Sequence, residues 1–94
     1  MTGSSAKEEK ELERIFKAFA NRRRLAIMRH IRERREATVG DIAEAIGLSF
    51  KATSKHLGVL TSAGVLDHEQ QGLTMRYILA ADMPSAARKV LALL

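Results

Sequence analysis

The 94 residues, 46% hydrophobic but only 4% aromatic, suffice for one compact domain and exclude a large second lobe. The absence of cysteine excludes disulfides, zinc–thiolate sites and thiol-based redox sensing. A formal net charge of +5 favours a polyanionic partner, yet it is unevenly placed: residues 1–36 hold 11 basic and 6 acidic side chains, and residues 37–94 hold 5 of each.

Residues 1–6 are expected to form a flexible tail and residues 7–94 a single domain. No apolar signal core opens the chain and no apolar run approaches the ~20 residues that span a bilayer, so the expectation is a cytoplasmic protein without a membrane partner. From Lys7, the spacing of Leu12, Ile15, Phe16, Phe19 and Ala20 predicts a first amphipathic helix with these residues on one face. Asn21 can cap a second helix reaching Glu36, with Leu25, Ile27, Met28 and Ile31 inward and Arg29, Arg32, Arg34 and Arg35 in water.

Thr38 with Asp41 three residues on is a capping-box start, and Val39, Ile42, Ala43 and Ile46 continue at helical spacing until Gly47. Gly47 can take the left-handed conformation that ends a helix, and Ser49 can cap another only two residues later. Two helices joined so tightly must cross steeply. In the helix predicted over 50–63, Thr53, Leu57 and Leu60 share one side, leaving Lys51, Ser54, Lys55, Gly58 and Ser62 on the other. Glycine within a helix costs about 1 kcal/mol against alanine, so either something approaches the backbone at Gly58 or the loss is merely tolerated.

Gly64 stops that helix, and two strands, Val65 to Glu69 and Thr74 to Leu79, flank Gln70-Gln71-Gly72, with Met75, Tyr77 and Leu79 inward. Asp82 and Pro84 mark the start of a last helix made apolar by Ala86, Ala87, Val90, Leu91, Leu93 and Leu94. The predicted fold is mainly α with a small β-hairpin, a winged helix-turn-helix in the order α-α-α-α-β-β-α.

From Ile15 to Leu79 the chain resembles the ArsR/SmtB family of winged-helix repressors. Ile15-Phe16-Lys17-Ala18-Phe19-Ala20-Asn21 with Arg24-Leu25 and Ile27-Met28 is similar to that family's entry segment, although Arg22 stands where a proline is usual. Leu48-Ser49, Ser54-Lys55-His56-Leu57 and Val59-Leu60 resemble its recognition helix, and Ala63-Gly64-Val65-Leu66 and Gly72 to Tyr77 its helix exit and wing. The resemblance implies a homodimer reading an inverted-repeat operator in successive major grooves. Its first and last helices would form the interface through Leu12, Ile15, Phe16, Phe19, Val90, Leu91 and Leu94. An apolar terminus such as Val90 to Leu94 independently calls for a covering surface, and two-fold symmetry supplies paired reading heads. Metal-sensing members place Cys, or His and Asp, ligands in stretches that here are Glu36–Asp41 and Ser85–Leu94, and neither contains Cys or His. The wing, with Asp67 and Glu69, is less basic than is usual for the family.

Lys51, Ser54, Lys55 and His56 lie near the start of the reading helix, where base edges are reached; lysine can donate to guanine O6 and N7, and the Ala52 methyl suits the thymine methyl. Thr38, Ser49, Gln70, Thr74 and Arg76 can position phosphates, Thr38 and Ser49 being caps first. Arg22-Arg23-Arg24 opens a helix where positive charge opposes the helix dipole, so either an outside anion relieves it or the arginines are solvated, with Arg24 paired to a carboxylate. His30, His56 and His68 fall on separate elements, which leaves no metal site, and no cofactor is expected. No strand-elbow nucleophile, phosphate-cradling loop or carboxylate pair organises catalysis. The preferred reading is a homodimeric DNA-binding repressor that occupies double-stranded DNA. Its rivals are a winged-helix docking or dimerisation module with little sequence preference, and a DNA-binding protein with an unknown small-molecule or metal effector site at the dimer interface.

Overall fold

The computed structural model describes residues 5–94. Its elements are helix α1 (Ser5–Phe19), helix α2 (Arg22–Arg34), strand β1 (Glu36–Thr38), helix α3 (Val39–Ile46), helix α4 (Phe50–Ser62), strands β2 (Leu66–Gln71) and β3 (Thr74–Leu79), and helix α5 (Ser85–Leu91). Helix α1 begins at Ser5, so Ser5 and Ala6 of the expected tail are helical, and the rest of that tail lies outside the described residues. Among the described residues no helix is long and apolar enough to cross a membrane.

The caps act as their chemistry requires. The Asn21 side chain accepts from the backbone N–H groups of Arg23 (2.9 Å) and Arg24 (3.1 Å), satisfying two donors that the first turn of α2 cannot pair internally. Thr38 Oγ1 accepts from Asp41 N at 3.1 Å while the Asp41 carboxylate accepts from Thr38 N at 3.5 Å, completing the capping box of α3. Gly47 at φ +68° ends α3, and Leu48 N donates back to Ala43 O at 3.0 Å. Ser49 Oγ accepts from Ala52 N at 3.1 Å and starts α4 directly. The corner between α3 and α4 is thus set by one left-handed glycine and one serine hydroxyl.

The sheet has three strands in the order β1-β3-β2, all antiparallel, one more than the hairpin expected. Glu36 is not helical: Arg35, at φ +77°, ends α2 in a conformation rare for a residue with a side chain. Residues Glu36, Ala37 and Thr38 then pair with Ile78, Tyr77 and Arg76. Too short to show alternation, β1 forms because β3 offers it an edge. In the wing, Gln71 pairs with Thr74, so the turn is Gly72-Leu73 and Gln70 belongs to the strand instead of the tip. As the central strand, β3 is partly covered along its length, and Tyr77 and Leu79 pack on the core while His68 stacks against Tyr77 at 5.6 Å between ring centroids.

The core joins Ile15, Ala18 and Phe19 of α1 to Ile27, Met28 and Ile31 of α2, Ile42 of α3, Leu57 and Leu60 of α4, and Val65 and Leu66 entering the wing. Leu12 and Phe16, expected inward, stay exposed at 39% and 53%. The inward face of α1 is set by Ile15, Ala18 and Phe19, and Leu12, Phe16 and Ala20 lie around its flank. In α5, Ala87 and Leu91 are buried, Leu93 is exposed, and Asp82 provides no cap, because Pro84 takes that place without a side-chain bond.

Thr53 is fully buried in α4, and among the described residues its Oγ1 is the buried side-chain polar atom without a hydrogen-bond partner. An unmet buried hydroxyl costs free energy that a methyl of the same shape does not. Thr53→Val is expected to keep the fold and raise the unfolding free energy by about 1 kcal/mol, read as a higher denaturant midpoint at unchanged slope; a lower midpoint would show that the hydroxyl has a partner.

Candidate nucleic-acid interface

Burial of Thr53, Leu57 and Leu60 on one side of α4 forces the opposite side outward. That side carries Lys51, Lys55, Gly58 and Ser62, all exposed, with Ala52, Ser54 and His56 half-buried beside them. Neither Lys51 nor Lys55 takes part in a hydrogen bond or ion pair. Two unpaired ammonium groups one helical turn apart on the exposed side of a helix suit the acceptors of a major groove.

Four of the remaining candidates, Thr38, Ser49, Gln70 and Arg76, are already engaged. The hydroxyls of Thr38 and Ser49 hold caps. Gln70 Nε2 donates to Gly72 O at 3.0 Å, and Arg76 donates from Nε to Gln71 Oε1 at 2.8 Å while its Nη1 lies 3.3 Å from the Glu36 carboxylate. The ion pair clips β1 to β3, so Arg76 spends part of its charge within the sheet. Sequence patterning missed two large exposed side chains here: Phe50 at the first position of α4 and Leu73 at the wing tip, 63% and 102% exposed. They border a shallow cleft of about 250 Å³ with Thr38, Gly40 and Met75, which no single-helix or single-strand periodicity would join.

Arg24 does not meet a carboxylate. Its Nε donates to Ala18 O at 2.6 Å and its Nη2 to Lys17 O at 3.1 Å, so the guanidinium caps carbonyls at the end of α1 that lack helical partners. Its Nη1 lies 3.2 Å from His56 Nδ1 on α4. A guanidinium can only donate, so Nδ1 accepts and the imidazole proton sits on Nε2. Burial, and then the charges of Arg24, Arg23 and Lys55, lower the His56 pKa below its ordinary 6.5. The residue therefore favours a neutral ring whose donor is Nε2. Arg23 Nη1 in turn donates to Ile46 O at the end of α3, at 3.3 Å. The basic run that opposed its own helix dipole thus serves the C-termini of two neighbouring helices, and the clue lay in that opposition.

Of the interface residues expected from the resemblance, Ile15, Phe19 and Leu91 are buried in the protomer's own core because they close α1 and α5 onto α2, which leaves them little surface to offer. Val90 and Leu94 are half-buried against the same core. Leu12 and Phe16 line an apolar cleft of about 390 Å³ with Ala20. His30, His56 and His68 lie on α2, α4 and β2, and among the described residues no three His, Cys, Asp or Glu side chains cluster as metal ligands.

Residues 19–69 match the helix-turn-helix domain family. The chain is 37% identical over 83 residues, 83% of its length and 72% of the relative's, to an uncharacterised HTH-type transcriptional regulator of Mycobacterium tuberculosis. Its fold superposes with a TM-score of 0.83 and 28% identity on a homodimeric winged helix-turn-helix DNA-binding domain from Mycobacterium bovis, described as a possible ArsR-family regulator, covering 99% of this chain and 82% of that one. Reduced HlyU from Vibrio cholerae is similar at a TM-score of 0.82 and 27% identity, covering 99% and 94%.

With its pKa lowered in the fold, His56 binds fewer protons folded than unfolded, so stability is highest above pH 6.5 and falls as pH drops through 6.5 toward the depressed value. The stability–pH profile of the native chain should therefore decline across that window, and His56→Gln should flatten it; an unchanged slope in the variant would place the titration elsewhere.

Proposed function

We propose that this chain, which belongs to the helix-turn-helix domain family of HTH-type transcriptional regulators, acts as an ArsR-type homodimeric repressor of an inverted-repeat operator. The observation that carries the proposal is the unpaired basic stripe of α4, turned outward by its buried opposite side and preceded by a tight corner after α3. Lys55 and Lys51 read base edges, with Ser54 and the Ala52 methyl beside them, and His56 offers its Nε2 proton to a base or phosphate. In this reading Thr38, Ser49, Thr74 and Gln70 bond phosphates, while Arg76 contributes the charge its ion pair leaves over. Phe50 and Leu73 add apolar contact at the two edges. Phosphate neutralisation supplies much of the affinity and makes it fall with salt.

Dimerisation follows from the exposed side chains that the core leaves out. Leu12 and Phe16 on α1, with Leu93 after α5, are large apolar groups in water, and α1 packs against α5 within the protomer. A second copy docking through these two helices covers all three. The M. bovis neighbour is homodimeric, and two recognition helices related by two-fold symmetry fit half-sites one turn of DNA apart.

Purified protein incubated with fragmented DNA from its source at physiological salt should retain fragments sharing a short inverted repeat. Retention without sequence preference would favour a docking module instead. Lys55→Ala is expected to lose about 1 to 3 kcal/mol of discrimination at one base position, and an equal loss on random DNA would assign that lysine to phosphate. Phe16→Glu should shift the protein from dimer to monomer in sedimentation with its helical content retained; a dimer that survives would move the interface off α1.

A further inference from the structure

The groove between α1 and α4 is a second place where charge is unspent. It holds about 560 Å³, within the range of about 300–1,000 Å³ typical of small-molecule sites. Ala18, Val59 and Ala63 make its walls apolar, and four cations line it: Arg14, Lys17, Arg24 and Lys55. No acidic side chain lines it. Glu11 and Glu13 reach Arg14 at 2.8 Å and Lys17 at 3.7 Å within α1, but Arg24 is bonded to carbonyls and a ring nitrogen, and Lys55 to nothing. Arg14 donates to Ser62 O at 2.5 Å and ties the far end of the groove across the two helices, so the space does not depend on a loop.

Gly58 forms part of the lining, and a Cβ built there would meet no atom within 4 Å. The absent side chain leaves room along α4 where any other residue would project into the groove. On α1 the groove side carries Arg14, Lys17 and Ala18, whereas Leu12, Phe16 and Ala20 lie round the neighbouring flank, and Lys17 borders both clefts.

We infer that this groove binds a small organic anion with an apolar body, such as a medium-chain carboxylate, its headgroup held by Lys17, Arg24 and Lys55 and its body laid along Ala18, Val59 and Ala63 beside Gly58. Apolar walls alone would take a neutral hydrocarbon, and the cations alone would take any phosphate; together they select a molecule carrying both features. Because Lys55 also belongs to the outward stripe of α4, an anion in the groove withdraws that charge from DNA. This last step rests on the DNA-binding reading proposed above, while occupation of the groove does not.

The probe is decanoate, titrated into the ¹⁵N-labelled full chain, with decanol and inorganic phosphate as controls for body and headgroup. Saturable shifts of the Lys17, Ala18, Gly58, Val59 and Ala63 amides with decanoate, and not with either control, are the expected result. Gly58→Leu, which fills the groove and favours the helix, and the exposed pair Lys17→Gln with Lys55→Gln should each weaken decanoate binding at least ten-fold. An equal response to decanol, saturation by phosphate, shifts confined to Leu12 and Phe16, or no saturation would overturn the site. Decanoate should also weaken retention of the enriched DNA by the native chain; unchanged retention with the groove filled would overturn the coupling alone. A protein that retained no DNA would leave the decanoate result standing.

Discussion

Everything that faces outward in this protein is decided by how α4 is held from behind. Thr53, Leu57 and Leu60 are all fully buried, and they fall on one side of a helix only thirteen residues long. Helical periodicity then leaves no freedom for Lys51, Lys55, Gly58 and Ser62, which must share the opposite side. The left-handed Gly47 and the Ser49 cap determine where α4 starts. A buried apolar stripe, whose burial is worth a few kcal/mol for each large side chain, thus positions charges that by themselves contribute little to stability.

Arg24 extends this support. One guanidinium satisfies carbonyls at the end of α1 and reaches His56 on α4, so three helices meet at a single side chain. The contact fixes the tautomer of His56, and burial, together with the charges of Arg24, Arg23 and Lys55, favours the neutral ring. Arg14 makes the matching tie at the other end of α4 through Ser62 O. Charge that seemed misplaced in the first third of the chain is therefore assembled beside α4, partly as structural donors and partly as unneutralised potential. That division separates Lys51 and Lys55, which have no partners, from Arg76, which shares its charge with Glu36.

What could be read from the chain alone was local. Asn21, Thr38 with Asp41, Gly47, Ser49 and Gly64 each mark a helix end through chemistry that acts within a few residues, and the inward residues of α3 and α4 follow from spacing. The helix-turn-helix corner and the outward stripe of α4 were legible for that reason. Strand β1 was not, because three residues show no period and their pairing energy comes from β3, some forty positions later. Neither was the direction of Leu12 and Phe16: their spacing suits a helix face, but Ile15, Ala18 and Phe19 on the adjoining face meet the core. The tertiary structure also decided the partners of Arg24, since a carboxylate and a row of orphan carbonyls are equally good acceptors until the fold brings one of them near. Local hydrogen bonding and periodicity are written in neighbouring residues, whereas long-range pairing and the choice between two apolar faces depend on which surfaces the folded chain has left to cover.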